Sequence, residues 1–446
     1  MDAERLRRLS RVMTAASARR DVMRSLAALP LLGATGMLLT DTEAKGKSET
    51  AAERKRRKRR WFCLNEQSIR ARNKKKKKKL KKRGAKRGKC IPKSCTPDSA
   101  VVTCATGCGQ TANNCGEMVS CGFVNVAPNA TPQTTFGQYG TTPSDLWNPY
   151  NLTISADQLI AYIPDYSNDR ISIWTRPNTS SPTWTNLTTF SGNGTGSGFL
   201  DAPADLVLSA NELTMWIADF NNDRISVWSR PDANTQTWGN ISTFGSAYLN
   251  GPNAIAMSDN ERMMWVVDRE NSRIVILTRP NKSAQNWSNV GGFGALGTDP
   301  NQFSRPSDLA LSADELTLWI ADQFNDRISI WTRPNTGSLD WTNIGTFGVY
   351  GQDYDQFYNP YGVTLSQDER TMWVSDSYNS RISIWSRQDT STQNWQALST
   401  FGTYGLTGDD TFNRPAGLVV SPDSATIWIA DTENHRISVW NQTCPA

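Results

Sequence analysis

The sequence contains a single histidine, His435, among its 446 residues. One imidazole excludes any zinc centre built from several histidines, and the chain has no Gly-x-Ser-x-Gly motif to indicate a serine nucleophile. Oxygen ligands are more plentiful, because Asp353, Asp355, Asp409 and Asp410 could together hold a calcium ion. Nothing in the sequence shows these four side chains converging. We therefore predict a binding function and leave a calcium-assisted hydrolase as the alternative.

A polar motif, Asp-x-x-Asn-x-Arg, occurs six times. Successive arginines of the motif lie 54, 49, 54, 54 and 55 residues apart. The aspartate and arginine pairs are Asp165 and Arg170, Asp219 and Arg224, Asp268 and Arg273, Asp322 and Arg327, Asp376 and Arg381, and Asp431 and Arg436. A feature shared by every copy most simply maintains the repeated unit. We interpret the aspartate as the cap of a tight turn and the arginine as its ion-pair partner.

Two further landmarks keep the same period as the motif. They are the prolines 149, 203, 252, 306, 360 and 415 and the phenylalanines 136, 190, 244, 293, 347 and 401. Three landmarks in one period indicate one supersecondary unit that is repeated six times.

Each unit is predicted to consist of four short strands. In the fourth unit, alternating or continuous apolar runs at 309–312, 318–321 and 328–331 predict three strands, and 346–348 is predicted as the last. Tryptophans on the second and third strands are expected to pack between units. Four strands in about 50 residues, without a helical period, are typical of a β-propeller blade.

The ends of the array predict how the propeller closes. The segment Thr134-Thr135-Phe136-Gly137 precedes the first unit, and the last unit stops after Trp440 without a fourth strand of its own. Pairing these two ends would leave no free sheet edge. We predict an all-β fold, a closed six-bladed propeller of four-stranded antiparallel blades, over residues 131–444.

The pattern Trp-Ile-Ala-Asp-x-x-Asn-x-Arg-Ile, preceded by the proline, resembles the NHL repeat, and the resemblance covers residues 131–444. It implies a six-bladed propeller. NHL-like propellers serve as protein-binding, RNA-binding or sensor modules, and occasionally as enzymes. Resemblance to lactonase-type propellers implies calcium near the axis as one possibility. An intracellular RNA-binding propeller is a further alternative, which the acidic repeat region disfavours.

Recognition is predicted on the loops at one end of the blades. Loops between strands two and three, and those that join successive blades, emerge on the same face, and aromatic or arginine side chains on a rigid scaffold suit recognition. The candidates are Tyr139, Tyr166, Phe220, Tyr248, Arg269, Arg305, Phe324, Tyr350, Tyr354, Tyr378, Tyr404 and His435. The partner is expected to be a protein or another macromolecule, bound by a monomer.

The amino-terminal segment is strongly basic. Residues 1–44 resemble a twin-arginine export signal around Arg19-Arg20, with a basic leader or an uncleaved anchor as alternatives. Residues 45–89 contain 23 Lys/Arg and three Asp/Glu, whereas residues 91–446 contain 18 and 34. We predict a disordered polybasic tract that contacts a polyanion such as a wall polymer, anionic lipid or nucleic acid. A solvated spacer, a tract that leans on the acidic repeats, and a nuclear-targeting signal remain alternatives.

The chain contains eight cysteines, and six of them lie in residues 90–125. That stretch is too poor in apolar residues to form a core of its own. The cysteines are Cys63, Cys90, Cys95, Cys104, Cys108, Cys115, Cys121 and Cys444. An even count with an export signal predicts disulfides, and zinc is the competing interpretation. We expect Cys444 to bridge to this module at the seam of the propeller. The sequence as a whole predicts an exported binding propeller, extracellular or associated with the cell envelope.

Overall fold

The computed structural model describes residues 110–112, 118–120 and 129–443. The predicted export signal, polybasic tract and disulfides, including the one at Cys444, lie outside the described residues and stay predictions. In the part described before residue 129, Gln110–Ala112 pairs antiparallel with Met118–Ser120.

Six four-stranded antiparallel sheets follow, and each corresponds to one predicted blade. Blade 1 has strands Thr153–Ile154, Ile160–Asp165, Arg170–Thr175 and Thr185–Phe190. Blade 2 has strands Pro203–Leu208, Thr214–Asp219, Arg224–Ser229 and Gly239–Phe244. Blade 3 has strands Pro252–Met257, Met263–Asp268, Arg273–Thr278 and Ser288–Phe293. Blades 4 and 5 have strands Asp308–Leu311, Thr317–Asp322, Arg327–Thr332 and Thr342–Phe347; and Pro360–Leu365, Thr371–Asp376, Arg381–Ser386 and Gln396–Phe401. Blade 6 has Pro415–Val420, Thr426–Asp431, Arg436–Thr443 and Asn129–Phe136.

Blade 6 is completed by the segment that precedes blade 1. Asn129–Phe136 pairs antiparallel with Arg436–Thr443, from Ile437 opposite Phe136 to Thr443 opposite Asn129. The predicted closed ring of six blades is therefore confirmed. A small parallel pair, Thr403–Tyr404 with Thr411–Phe412, lies in the loop that enters blade 6.

Tryptophans of the second strands pack between neighbouring blades. Trp319 of blade 4 is fully buried and packs against Val363 and Val374 of blade 5. Trp265 of blade 3 packs in the same way against Leu318 and Ile320 of blade 4. Each of the six clusters of buried apolar side chains spans two neighbouring blades. Burying a large apolar side chain contributes roughly 1.5–3 kcal/mol, so these interfaces stabilise the ring.

The outermost strand begins earlier than its sequence pattern indicated. In blade 4 it runs from Thr342 to Phe347, whereas only 346–348 was predicted. Its residues alternate between exposed and partly buried because the strand lies at the outer edge of the blade, so it shows little apolar periodicity. In the described residues, we find no helix with the length and apolarity needed to cross a membrane.

Candidate functional site

Strand direction divides the loops of the propeller into two faces. Loops between strands 2 and 3 and loops that enter the next blade emerge on one side, here called the upper face. Loops between strands 1 and 2 and between strands 3 and 4 emerge on the other side, here called the lower face.

The repeated Asp-x-x-Asn-x-Arg motif fixes the loops of the upper face. In blade 4, Arg327 Nε donates to Asp322 Oδ2 (2.8 Å), and Asp322 Oδ1 accepts from the backbone amide of Ser304 (2.7 Å). The other guanidinium nitrogens of Arg327 donate to the backbone carbonyls of Thr298, Asp299 and Gln302. The Asp322 carboxylate caps no backbone amide of the 3-10 turn Gln323–Asn325 that follows it, and within that turn it accepts only from Asn325 Nδ2 (2.8 Å). The pair therefore holds the incoming loop instead of capping its own turn.

His435 occupies a left-handed position at the end of such a turn, with φ of 58°. Its Nδ1 accepts from the backbone amide of Asn148 (3.2 Å), as Asp326 Oδ1 accepts from Asn359 in blade 4 (2.7 Å). Its ring lies 4.9 Å from that of Tyr139. Burial lowers the pKa of His435, which favours the neutral ring that this acceptor role requires. The histidine thus joins blade 6 to the loop that enters blade 1.

The predicted recognition residues lie on the upper face, but they differ in accessibility. Tyr139, Tyr350, Tyr354 and Tyr404 expose 61–67% of their surface. Arg305, Phe324 and Tyr378 are also exposed, whereas Tyr166, Phe220, Tyr248, Arg269 and His435 are partly buried. Ten of the fifteen large hydrophobic side chains that are exposed in the described residues belong to this face. They are Tyr139, Phe199, Leu296, Phe324, Val349, Tyr350, Tyr354, Tyr378, Tyr404 and Leu406.

A line of rings runs between the loops of blades 5 and 6. Tyr350 contacts Tyr358 edge to face at 5.1 Å, and Tyr358 contacts Tyr378 at 5.0 Å. The Arg414 guanidinium lies 4.6 Å from the centre of the Tyr378 ring and 3.6 Å from Glu433. Tyr358 and Arg414 were missed by the sequence analysis, although both lie beside a landmark proline in loops already singled out.

A second aromatic cluster joins side chains of blades 1, 3 and 5 across the ring. Tyr150 stacks on Tyr166 (4.2 Å) and meets Tyr361 edge to face (5.5 Å). The Arg269 guanidinium lies 5.6 Å from the centre of the Tyr361 ring, and Arg269 Nη2 donates to Gln323 Oε1. Burial raises the pKa of all three tyrosines, so they stay neutral at physiological pH. Tyr150 and Tyr361 follow landmark prolines and were not predicted.

Two carboxylates lie on the innermost strands. Asp205 Oδ2 accepts from the Ile255 amide (2.8 Å), and Asp308 Oδ2 accepts from the Val363 amide (2.9 Å), so each links its blade to the next. Burial raises the pKa of Asp205 well above its usual range, and the Asp308 charge adds to that effect. Burial raises the pKa of Asp308 to about 7. Sequence analysis missed both residues because they stand two positions after a proline in otherwise apolar strands.

The carboxylates proposed for calcium lie elsewhere. Asp353 and Asp355 are exposed in the loop that enters blade 5, and Asp409 and Asp410 in the loop that enters blade 6. In the described part of the chain, no group of three or more acidic, histidine or cysteine side chains is placed to hold a metal ion.

The lower face carries a repeated arginine between tryptophans. The Arg333 guanidinium lies 5.0 Å from the Trp265 ring of blade 3 and 5.3 Å from the Trp341 ring of its own blade. Arg176, Arg279 and Arg387 make the same pair of contacts. Because adjacent blades share each arginine, this arrangement stabilises the ring.

Comparisons with known proteins match two families, one of them described as a seven-bladed propeller where this chain has six blades. The family model described as "Lactonase, 7-bladed beta-propeller" matches residues 120–392, and the NHL repeat model matches residues 412–440. NHL repeat-containing protein 2 of Bos taurus is 30% identical over 153 residues, which cover 31% of this chain and 21% of that protein. The chain therefore spans about a fifth of the length of the curated relatives that it matches.

Solved structures that are similar to this chain have low sequence identity to it. An auxiliary nutrient binding protein from Bacteroides thetaiotaomicron is similar with a TM-score of 0.51 and 13% identity, over 71% of this chain and 78% of that one. The periplasmic gluconolactonase of Pseudomonas aeruginosa has a TM-score of 0.47 and 12% identity, over 70% and 92%.

Proposed function

The chain belongs to the family of lactonase β-propellers described as seven-bladed, in a form with six blades, and from this premise we propose that it is a binding module. Its upper face would recognise a protein or another macromolecular partner. The single observation that carries the proposal is the concentration of exposed aromatic and aliphatic side chains on that face.

Two features support recognition at this surface. The exposed rings stand on loops that the buried aspartate and arginine pairs hold in place, so ordering them on binding costs little conformational entropy. Tyrosine also presents an apolar ring together with a polar hydroxyl, which suits a surface that is wet when free and covered when bound.

Site-specific photo-crosslinking tests the proposal. A benzoylphenylalanine residue would replace Tyr350 or Tyr378 on the upper face, and Leu339 on the lower face as the matched control, since Leu339 is also exposed. Irradiation of cells that produce the full chain should give a discrete adduct at positions 350 and 378 and none at 339. Equal adducts on both faces, or none at 350 and 378, would rule out the upper face as the binding surface.

Lactone hydrolysis is the second candidate, because the matching family model is described as a lactonase and Asp308, partly exposed on an innermost strand, has a pKa that burial raises to about 7. A carboxylate with that pKa could serve as a general base toward water near neutral pH. D-Glucono-1,5-lactone hydrolysis, followed in a pH-stat, should then increase as the pH rises through about 7 and be lost in Asp308→Asn. The matched control Asp340→Asn should keep the rate, and equal rates for both variants would refute this role.

The amino-terminal segment completes the proposal. Export through residues 1–44 and polyanion contact through residues 45–89 would place the binding module at the cell envelope. Support for this comes from the sequence alone, namely the paired Arg19-Arg20 and the excess of 23 Lys/Arg over three Asp/Glu in the tract.

A further inference from the structure

We propose that one sector of the upper face binds an arginine- or lysine-rich peptide segment of a partner protein. The sector consists of the loops that enter blades 5, 6 and 1, and we call it the acidic tyrosine sector. This inference rests on the proposed binding function and assigns it a partner chemistry.

The rings of the sector are accessible. Tyr350, Tyr354, Tyr404 and Tyr139 expose 66%, 61%, 67% and 62% of their surface. An exposed tyrosine face attracts a cation because the ring carries negative charge density above its plane. Four such rings on adjacent loops offer several stacking positions to a flexible basic segment.

Uncompensated negative charge lies on the same loops. Asp353 and Asp355 flank Tyr354 in the sequence, and Asp409 and Asp410 follow Tyr404 by five and six residues. All four aspartates are exposed, and none of them forms an ion pair among the described residues. A basic partner would therefore gain both attraction and faster association at this sector.

The upper face already accommodates guanidinium groups in this way. Arg414, within the sector, stacks on Tyr378 at 4.6 Å, and Arg305 stacks on Phe324 at 5.5 Å. Both arginines also pair with a carboxylate, Arg414 with Glu433 and Arg305 with Glu270. The exposed tyrosines and exposed aspartates of the sector offer an incoming arginine the same two kinds of group, a ring and a carboxylate.

The opposite part of the upper face lacks this combination. Around blades 3 and 4, Asp299 is exposed, but the side chain that corresponds to Tyr350 is Leu296, and Arg305 already stacks on Phe324 and pairs with Glu270 at 2.7 Å. Charge complementarity therefore places the basic segment over blades 5, 6 and 1.

Fluorescence anisotropy of labelled nona-arginine with the full-length chain tests the inference. Asp355→Asn with Asp410→Asn should weaken binding by about threefold or more. The matched control, Asp259→Asn with Asp340→Asn, removes the same charge from exposed positions on the lower face and should leave affinity unchanged. Tyr350→Leu should weaken binding about two- to fivefold, whereas Tyr350→Phe keeps the ring and should keep the affinity.

Four results would overturn the inference. If both double variants weakened nona-arginine binding equally, the attraction would be general and not specific to the sector. If labelled nona-glutamate bound as tightly as nona-arginine, the sector would have no preference for positive charge. Binding of the neutral oligosaccharide chitohexaose, with no affinity for nona-arginine, would assign the sector to a glycan. An adduct at position 350 in the crosslinking experiment, without nona-arginine binding, would leave the binding function standing and refute only the basic peptide.

Discussion

At the scale of single residues, most charged groups of this propeller serve its framework. Asp322, fully buried, collects an arginine, an asparagine and a backbone amide, and the same set recurs around the ring. Burial raises the pKa of Asp322 although Arg327 lies beside it, so the cost of burying the charge outweighs the attraction between the two groups. We therefore assign the pair the role of ordering the loop through its hydrogen bonds. His435 belongs to this framework too.

The buried pair makes a prediction about stability. Asp322→Ala would leave Arg327 without its carboxylate and the Ser304 amide without its acceptor, and breaking a buried pair costs about 3–5 kcal/mol. The urea midpoint should fall accordingly. Asp340→Ala, at an exposed position, should change stability by no more than about 0.5 kcal/mol, and similar losses for both variants would contradict this account.

Asp308 makes a prediction about pH. Its folded pKa of about 7 exceeds the value of 3.8 for an unperturbed carboxyl, so the folded state keeps a proton that the unfolded state has already lost. The associated stability is fully present below about pH 4 and is lost as the pH rises to about 7. Asp308→Asn should reduce the change in melting temperature between pH 4.5 and 7.5, and the raised pKa of Asp205 should account for part of the remainder. Asp340→Asn should retain the full change, and a wild-type slope in Asp308→Asn would exclude this group as its source.

At the scale of elements, the innermost strands approach one another closely. The amide of Gly417 donates to the Tyr150 carbonyl (2.7 Å), which joins blade 6 to blade 1. A methyl group added at Gly417 would lie 2.6 Å from Asn151 Cα, closer than any packed contact. Glycine is therefore required there by the distance between blades.

Gly417→Ala should consequently be destabilising. Overpacking of this kind costs about 1–3 kcal/mol, so a lower melting temperature is expected. Gly239→Ala is the matched control, because that strand position has no neighbouring atom within 4 Å of the added methyl group. A melting temperature that falls equally in both variants would indicate a general glycine effect instead of contact between blades.

At the scale of the whole molecule, charge separates the basic tract from an acidic repeat region. Residues 45–89 carry an excess of 20 basic groups (23 less 3), and residues 91–446 an excess of 16 acidic groups (34 less 18). A membrane or wall polymer that carries negative charge would attract the tract and repel the propeller. The upper face would then remain free to bind its partner.

This organisation predicts the mature amino terminus. Cleavage after Thr42-Glu43-Ala44 would leave a protein that begins at Lys45 and retains the basic tract. Sequencing the amino terminus of protein recovered from the cell envelope checks this expectation. A terminus beyond residue 89 would mean that the tract is removed, and recovery of the intact chain from the cytoplasm would exclude export.

The sequence by itself determined the number of blades, their four strands and the presence of a closing strand, because periodic prolines, motif arginines and phenylalanines report local geometry that repeats. The closing strand was predicted at 134–137 and spans 129–136 in the structure. It also indicated which loops share a face, since antiparallel strands alternate in direction. The repeated pattern within one blade could not predict the distances between side chains of different blades.

Only the tertiary structure brought together Tyr358, Tyr378 and Arg414, or Asp205 and Ile255, because these residues belong to loops and strands about 20 to 50 positions apart. It likewise showed that His435 joins blade 6 to blade 1. Contacts across blades depend on how the ring closes and on burial, and neither is encoded in the spacing within one repeat.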